Sequence, residues 1–62
     1  MIRVLIVDDD KLARRGLASL MHWETYGMAV VGEAQNGKNA LHFIQEHPVD
    51  LVFVDIDMPE MS

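Results

Sequence analysis

The sequence predicts an α/β fold, a doubly wound parallel sheet laid down in the order β-α-β-α-β. Three observations predict it. Val4-Leu5-Ile6-Val7 and Leu51-Val52-Phe53-Val54 are continuous apolar runs rich in β-branched residues, the pattern of strands buried on both faces. Between them lie two stretches with apolar residues at helical spacing, separated by a third apolar run. Both long runs end abruptly in acids, Asp8-Asp9-Asp10 and Asp55-Ile56-Asp57. Two such strands lying parallel and adjacent would gather at least three carboxylates on one rim, which is costly unless a cation neutralises them. The chain reads as built to hold a hard divalent cation beside a reactive carboxylate.

Taken in order, Arg3 to Val7 is the first strand. A helix follows from Lys11 to about His22, with Asp8, Asp9 and Asp10 all suited to its N-cap or first turn by hydrogen bonding and by the helix dipole. Leu12, Gly16, Leu17, Leu20 and Met21 recur at spacings of three and four and mark its buried face. Gly16 there would let the helix approach the sheet closely, while Arg14, Arg15 and Ser19 face water. Trp23 to Gly27 ends this helix, with Gly27 a candidate for a left-handed turn position. Trp23 and Tyr26 pin that end to the core. Met28 to Val31 is a short second strand, and Gly32-Glu33-Ala34 leads out of it.

Asn36, in the turn Gln35-Asn36-Gly37, is the N-cap of a second helix from Lys38 to Glu46. That helix buries Ala40, Leu41 and Ile44, and Pro48 prevents its continuation. Asp50 to Val54 is the third strand. Two right-handed crossovers then give the strand order 2-1-3. The topological switch point falls between the first and third strands, at their carboxyl ends, where ligand sites form in such sheets. Both acidic clusters are at that end.

Composition narrows the function. At 62 residues the chain is at most one small domain, of a size that buries only ~60% of its unfolded surface. Half of it is hydrophobic, normal for a globular core and too much for a disordered segment. The net charge of −5 argues against direct binding to nucleic acid or an anionic membrane. There is no cysteine, hence no disulfide framework or thiolate metal site, and this fits a cytoplasmic protein. No apolar run approaches the ~20 residues of a membrane span. Met1-Ile2-Arg3 runs directly into a strand, so no signal peptide is expected. His22, His42 and His47 are scattered and do not form a metal or phosphohistidine cluster. Asn36-Gly37 is a turn, not a glycine-rich phosphate loop.

Several stretches together carry a family likeness. They are Val4-Leu5-Ile6-Val7-Asp8-Asp9-Asp10, Arg14-Arg15-Gly16-Leu17, and Val31-Gly32-Glu33-Ala34 with Asn36-Gly37 and Ala40-Leu41. The last is Asp50-Leu51-Val52-Phe53-Val54-Asp55-Ile56-Asp57-Met58-Pro59-Glu60-Met61. On these the chain resembles the receiver domain of two-component response regulators over essentially its whole length. Leu20-Met21-His22-Trp23-Glu24 and Gly27 look most like receivers joined to AraC-type DNA-binding domains.

The resemblance implies a flavodoxin-like receiver fold, truncated to residues 1–62 as its N-terminal half. The strand alone does not choose between Asp55 and Asp57. The resemblance implies that Asp55, three residues before Met58-Pro59, is the phosphoacceptor. It implies that Asp8 and Asp9 bind Mg²⁺, Asp9 the more directly, and that Asp57 completes the metal site with its backbone carbonyl. It makes Asp10 a helix-start residue. A histidine kinase is the implied phosphoryl donor, and a DNA-binding output domain outside this chain the implied target. Such a module is a signalling switch and not an enzyme in the usual sense.

Phosphoryl transfer to a carboxylate needs an ionised nucleophile, a metal and further groups on the phosphoryl oxygens. Family members supply the last from a Ser or Thr after the fourth strand and a Lys after the fifth, beyond Ser62. Two consequences are expected: weak Mg²⁺ binding with poor phosphorylation of this piece alone, and self-association through the third strand, left as an apolar edge. Two rival readings remain. One is an inactive receiver fragment that only dimerises. The other is a Mg²⁺-dependent phosphohydrolase with an aspartate nucleophile, which Asp55-Ile56-Asp57 fits superficially. The Asp8-Asp9 pair and Met58-Pro59 favour the receiver over the latter.

Overall fold

The computed structural model describes residues 1–55. In chain order it contains β1 (Ile2–Val7), α1 (Lys11–Leu20), a 3-10 turn (Trp23–Tyr26), β2 (Met28–Ala34), α2 (Gly37–Glu46) and β3 (Leu51–Val54). The strands form one sheet in the order β2-β1-β3, and both pairings are parallel. This is the doubly wound 2-1-3 arrangement that the sequence predicts.

β1 is the central strand, and its unbroken apolar run suits burial on both faces. Val4, Leu5, Ile6 and Val7 are almost completely buried. Side chains alternate across a strand, so the run feeds two cores. Val4 and Ile6 pack with Trp23, Ala18, Met21, Met28, Val30 and Phe53. Leu5 and Val7 pack with Ala34, Ala40, Phe43, Val49 and Val52.

β2 is longer than its hydrophobicity suggests, running to Ala34 rather than stopping at Val31. Its register against β1 slips once, from Val4↔Val30 to Leu5↔Gly32. Val31 is the extra residue of this bulge and is exposed. Gly32 then lies directly under the ring of Phe43, where an added Cβ would overlap the ring. Gly32, not Gly16, is the close-approach glycine, since a Cβ at Gly16 would meet nothing within 4 Å. Gly27 adopts the left-handed conformation, φ 70°, and its carbonyl accepts the amide of Ile2 at 2.8 Å.

The helices depart from the hydrophobic pattern in phase. α1 stops at Leu20, two residues short of His22. Leu12 and Leu20, placed by spacing on the buried face, are each 82% exposed, and Leu17 is partly exposed. The inward stripe is Arg14, Ala18 and Met21, an i, i+4, i+7 row. Buried Trp23 occupies the space a larger helix residue would need, its indole N–H donating to the Ala18 carbonyl at 3.2 Å. Its ring meets Phe53 edge-on at 5.3 Å. Tyr26 is exposed and pins nothing.

In α2, Asn36 caps the helix as expected, its side chain accepting the Asn39 amide at 2.8 Å. Ala40 is buried, but Leu41 and Ile44 are exposed. Phe43 is the residue that packs inward, over Gly32.

At the amino-terminal rim of β1 and β3, Asp50 precedes the strand rather than starting it. Its carboxylate accepts from Arg3 Nε at 3.0 Å, Arg3 Nη2 at 3.2 Å and the Arg3 amide at 2.9 Å. The Asp50 amide donates to the Arg3 carbonyl at 2.8 Å.

Candidate metal centre

The other rim is built by continuing the same ladder. Val7 and Val54 are register partners. One residue further, the Asp55 amide donates to the Val7 carbonyl and the Asp8 amide to the Ala34 carbonyl, both at 3.0 Å. Asp8 and Asp55 therefore leave adjacent parallel strands side by side, where strand spacing is about 4.8 Å. Asp8, Asp9 and Asp55 each bring a carboxylate oxygen into one group whose members all lie within 4.8 Å of one another. Asp8 and Asp55 are half-buried and Asp9 is exposed. Beside them a cleft of about 340 Å³ is lined by Ile6, Val7, Leu17, Phe53 and Val54 with Asp8 and Asp55.

The three consecutive acids have separate tasks. Asp10 turns toward the helix and caps it, Oδ1 accepting from Leu12 N at 2.9 Å and Ala13 N at 3.3 Å. This is the helix-start role expected of it. Asp8 Oδ1 accepts the Asp10 amide at 2.9 Å, which shapes the loop. Asp57, expected to contribute a backbone carbonyl, lies outside the described residues, as do Met58 and Pro59. None of His22, His42 and His47 joins the group.

The donor set suits Mg²⁺. That ion takes oxygen ligands at about 2.1 Å in an octahedron, so neighbouring ligands sit roughly 3 Å apart and opposite ones about 4 Å. A set of carboxylate oxygens spanning no more than 4.8 Å is on the scale of such spacing. It leaves the remaining positions for water, as Mg²⁺ prefers.

Arg14 is the residue that the hydrophobic pattern misplaces. Instead of facing water, its side chain is only 12% exposed. Nη1 donates to the Asp8 main-chain carbonyl at 2.6 Å and Nε to Glu33 Oε1 at 3.0 Å. A signal for it does exist in the sequence. Arg14 shares the i, i+4, i+7 row with Ala18 and Met21, and lies one turn beyond the Asp10 cap.

Among the described residues no helix is long and apolar enough to cross a membrane. A family profile described as response regulator receiver domain matches residues 4–62. The chain is 41% identical over all 62 residues to a protein-glutamate methylesterase/protein-glutamine glutaminase of Oleidesulfovibrio alaskensis, covering 16% of that protein. It is 39% identical over its whole length to the transcriptional regulatory protein HptR of Staphylococcus aureus, covering 25% of it. Among solved structures it matches the REC domain of AraT, a response regulator from Geobacillus stearothermophilus. The TM-score is 0.83 with 41% identity, over 94% of this chain and 45% of that one. The chain thus spans a quarter or less of the curated relatives and just under half of the solved domain.

Proposed function

Because the chain belongs to the response regulator receiver family, we propose that it forms the phosphoacceptor half of a receiver switch. Asp55 takes the phosphoryl group, and Asp8 and Asp9 hold Mg²⁺ together with it. The observation that carries this reading is the convergence of these three carboxylates within 4.8 Å at the ends of β1 and β3. Asp57 adds its backbone carbonyl on the strength of the family resemblance alone.

In the reaction an Asp55 oxygen attacks phosphorus while the bond from phosphorus to the kinase histidine breaks, and that bond's electron pair leaves on the imidazole. Bound Mg²⁺ supplies charge neutralisation on the phosphoryl oxygens. Asp8 and Asp9 orient from the β1 side, and the hydrogen bond from the Asp55 amide to Val7 fixes the nucleophile's backbone. The donor is a histidine kinase, and the module signals rather than turning over a substrate.

The 62 residues are read as the N-terminal half of the domain. Supporting this, Leu12, Leu20, Leu41 and Ile44 are exposed apolar side chains of the kind further elements would cover. The relatives' names differ, one a transcriptional regulator and one a methylesterase/glutaminase, which supports an output carried outside these residues. For this chain the proposed output is a DNA-binding, transcriptional domain in a cytoplasmic protein.

The test is a nitrogen-15 amide spectrum of the chain titrated with Mg²⁺. Shifts confined to the surroundings of Asp8, Asp9 and Asp55 are expected; a spectrum indifferent to Mg²⁺ rejects the metal assignment. In the full-length parent, Asp55→Asn should abolish phosphorylation by the kinase, and retained labelling rejects Asp55 as the acceptor.

A second reading rests on β3. Among the described residues it pairs with β1 alone, and its Leu51 and Val54 are exposed. An apolar edge of this kind recruits a second strand, so the isolated chain is proposed to self-associate there. Sedimentation showing a monomer at high concentration would rule this out.

A further inference from the structure

We infer that Arg14 is a positioning residue for the metal site, acting through the Asp8–Asp9 peptide and braced by Glu33 on β2. The inference rests on the Mg²⁺ assignment above and adds a residue to it. Arg14 acts on the main chain of the loop that carries Asp8 and Asp9. Its Nη1 donates to the Asp8 main-chain oxygen at 2.6 Å. That oxygen belongs to the peptide joining Asp8 to Asp9, and a peptide is a rigid plane. Holding the oxygen therefore orients the plane from which Asp9 departs. The other side of Asp8 is held as well, its amide donating to the Ala34 carbonyl at 3.0 Å. Glu33, whose Oε1 accepts Arg14 Nε at 3.0 Å, is the neighbour of Ala34 on β2. The loop that carries two of the three carboxylates is thus tied to β2 twice, once directly and once through the Arg14–Glu33 pair.

Charge gives the inference a distinctive sign. An arginine near a dication site, acting by charge alone, repels the ion, so removing it should tighten Mg²⁺ binding. An arginine that positions ligands does the opposite, because a loosened ligand must be ordered anew on binding. Glu33 balances the guanidinium charge in place, which weakens the repulsive effect and leaves the positioning effect. The bridge also needs a guanidinium: the planar fork offers Nε and Nη1 to two acceptors at once, whereas a lysine ammonium presents a point charge on a flexible stem.

The experiment compares the chain with Arg14→Met and Arg14→Lys by Mg²⁺ titration of amide shifts and by amide hydrogen exchange without metal. Arg14→Met is expected to weaken Mg²⁺ binding about 10-fold, the lower end of losses seen when groups that orient metal ligands are removed. Arg14→Lys should weaken it about threefold, since it keeps charge but not the fork. Without metal, exchange at the Asp8 and Asp10 amides should rise about 10-fold, while the Asp50 amide at the far rim is unchanged, a local opening and not a global one. Should Arg14→Met fail to fold, Arg14→Lys carries both readouts. Unchanged or tighter Mg²⁺ binding in a folded variant, with exchange at Asp8 and Asp10 unaltered, overturns the inference while the metal assignment stands. Absence of Mg²⁺ binding by the unaltered chain overturns the metal assignment, and the inference with it.

Discussion

The two rims of the β1–β3 pair use the same residue types to opposite ends. At the amino-terminal rim, Asp50 is met by Arg3 through two guanidinium hydrogen bonds and the Arg3 amide. At the carboxyl-terminal rim, Asp8, Asp9 and Asp55 are brought within 4.8 Å of one another. Arg14, the nearby arginine, addresses a main-chain carbonyl and Glu33 instead. The first rim settles its charge inside the chain. The second gathers three carboxylates at the end of a buried strand. The difference teaches that the cost of the site is borne by β1, whose four core residues serve both rims at once.

The largest expected effect therefore comes from β1 itself. Leu5 is fully buried, and Leu5→Ala should cost about 2–5 kcal/mol. That is comparable to the ~3–5 kcal/mol a core of this size supplies, so chemical denaturation should find the variant largely unfolded and both rims lost together. A folded variant with one rim intact would show that the rims do not share a support.

The next effects separate the acids. Asp55→Asn removes one of three clustered like charges and should raise metal-free stability by about 1 kcal/mol, the Coulomb scale for charges this close in water. It should also shrink the stabilisation that Mg²⁺ gives the unaltered chain, since a ligand stabilises only the state that binds it. Thermal melts with and without Mg²⁺ read both. Asp10→Ala should do the reverse. It loses a helix cap and about 1 kcal/mol of stability, yet keeps the Mg²⁺-induced gain. If Asp10→Ala lost that gain as fully as Asp55→Asn, the division of labour among the consecutive acids would be wrong.

The contrast between the rims also explains what was legible in the sequence. The sheet order could be read because two right-handed crossovers leave β1 between β2 and β3, and the acidic rim because the acids follow the apolar runs of β1 and β3 without a spacer. Choosing Asp55 over Asp57 took the family pattern, because alternation along a strand end does not say where the strand stops. The phase of α1 could not be read from leucines alone. Leu12, Leu17 and Leu20 outweigh Ala18 on any hydrophobic count, but Trp23 lies beyond the helix and fills the space beside Ala18. Arg14 was placed toward water for the same reason. Its burial depends on two acceptors, the Asp8 carbonyl six residues back and Glu33 on β2, and a hydrophobic count registers neither. Arg3 and Asp50 sit 47 positions apart, so their pairing follows from the parallel register and from nothing local.

The smallest effect is the pH response of that pair. Arg3 holds the Asp50 carboxyl down to about 2, through side-chain and then backbone hydrogen bonds. Asp50 in turn raises the Arg3 guanidinium, first by its hydrogen bond and then by its charge. An acid with a lowered folded-state pKa stabilises the fold fully above its unfolded value, and that contribution disappears as pH falls through the folded value. For Asp50 the window runs from about 4, the ordinary carboxyl range, to about 2. Both partners are more than a third exposed, so screening keeps the effect small and added salt should shrink it further. The checking measurement is the difference in denaturation midpoint between the unaltered chain and Asp50→Asn, followed from pH 6 to pH 2. The difference should be constant above about pH 4 and should narrow below it. A difference that widened with acid would mean that Asp50 is better satisfied protonated, and the two rims would then differ in degree rather than in kind.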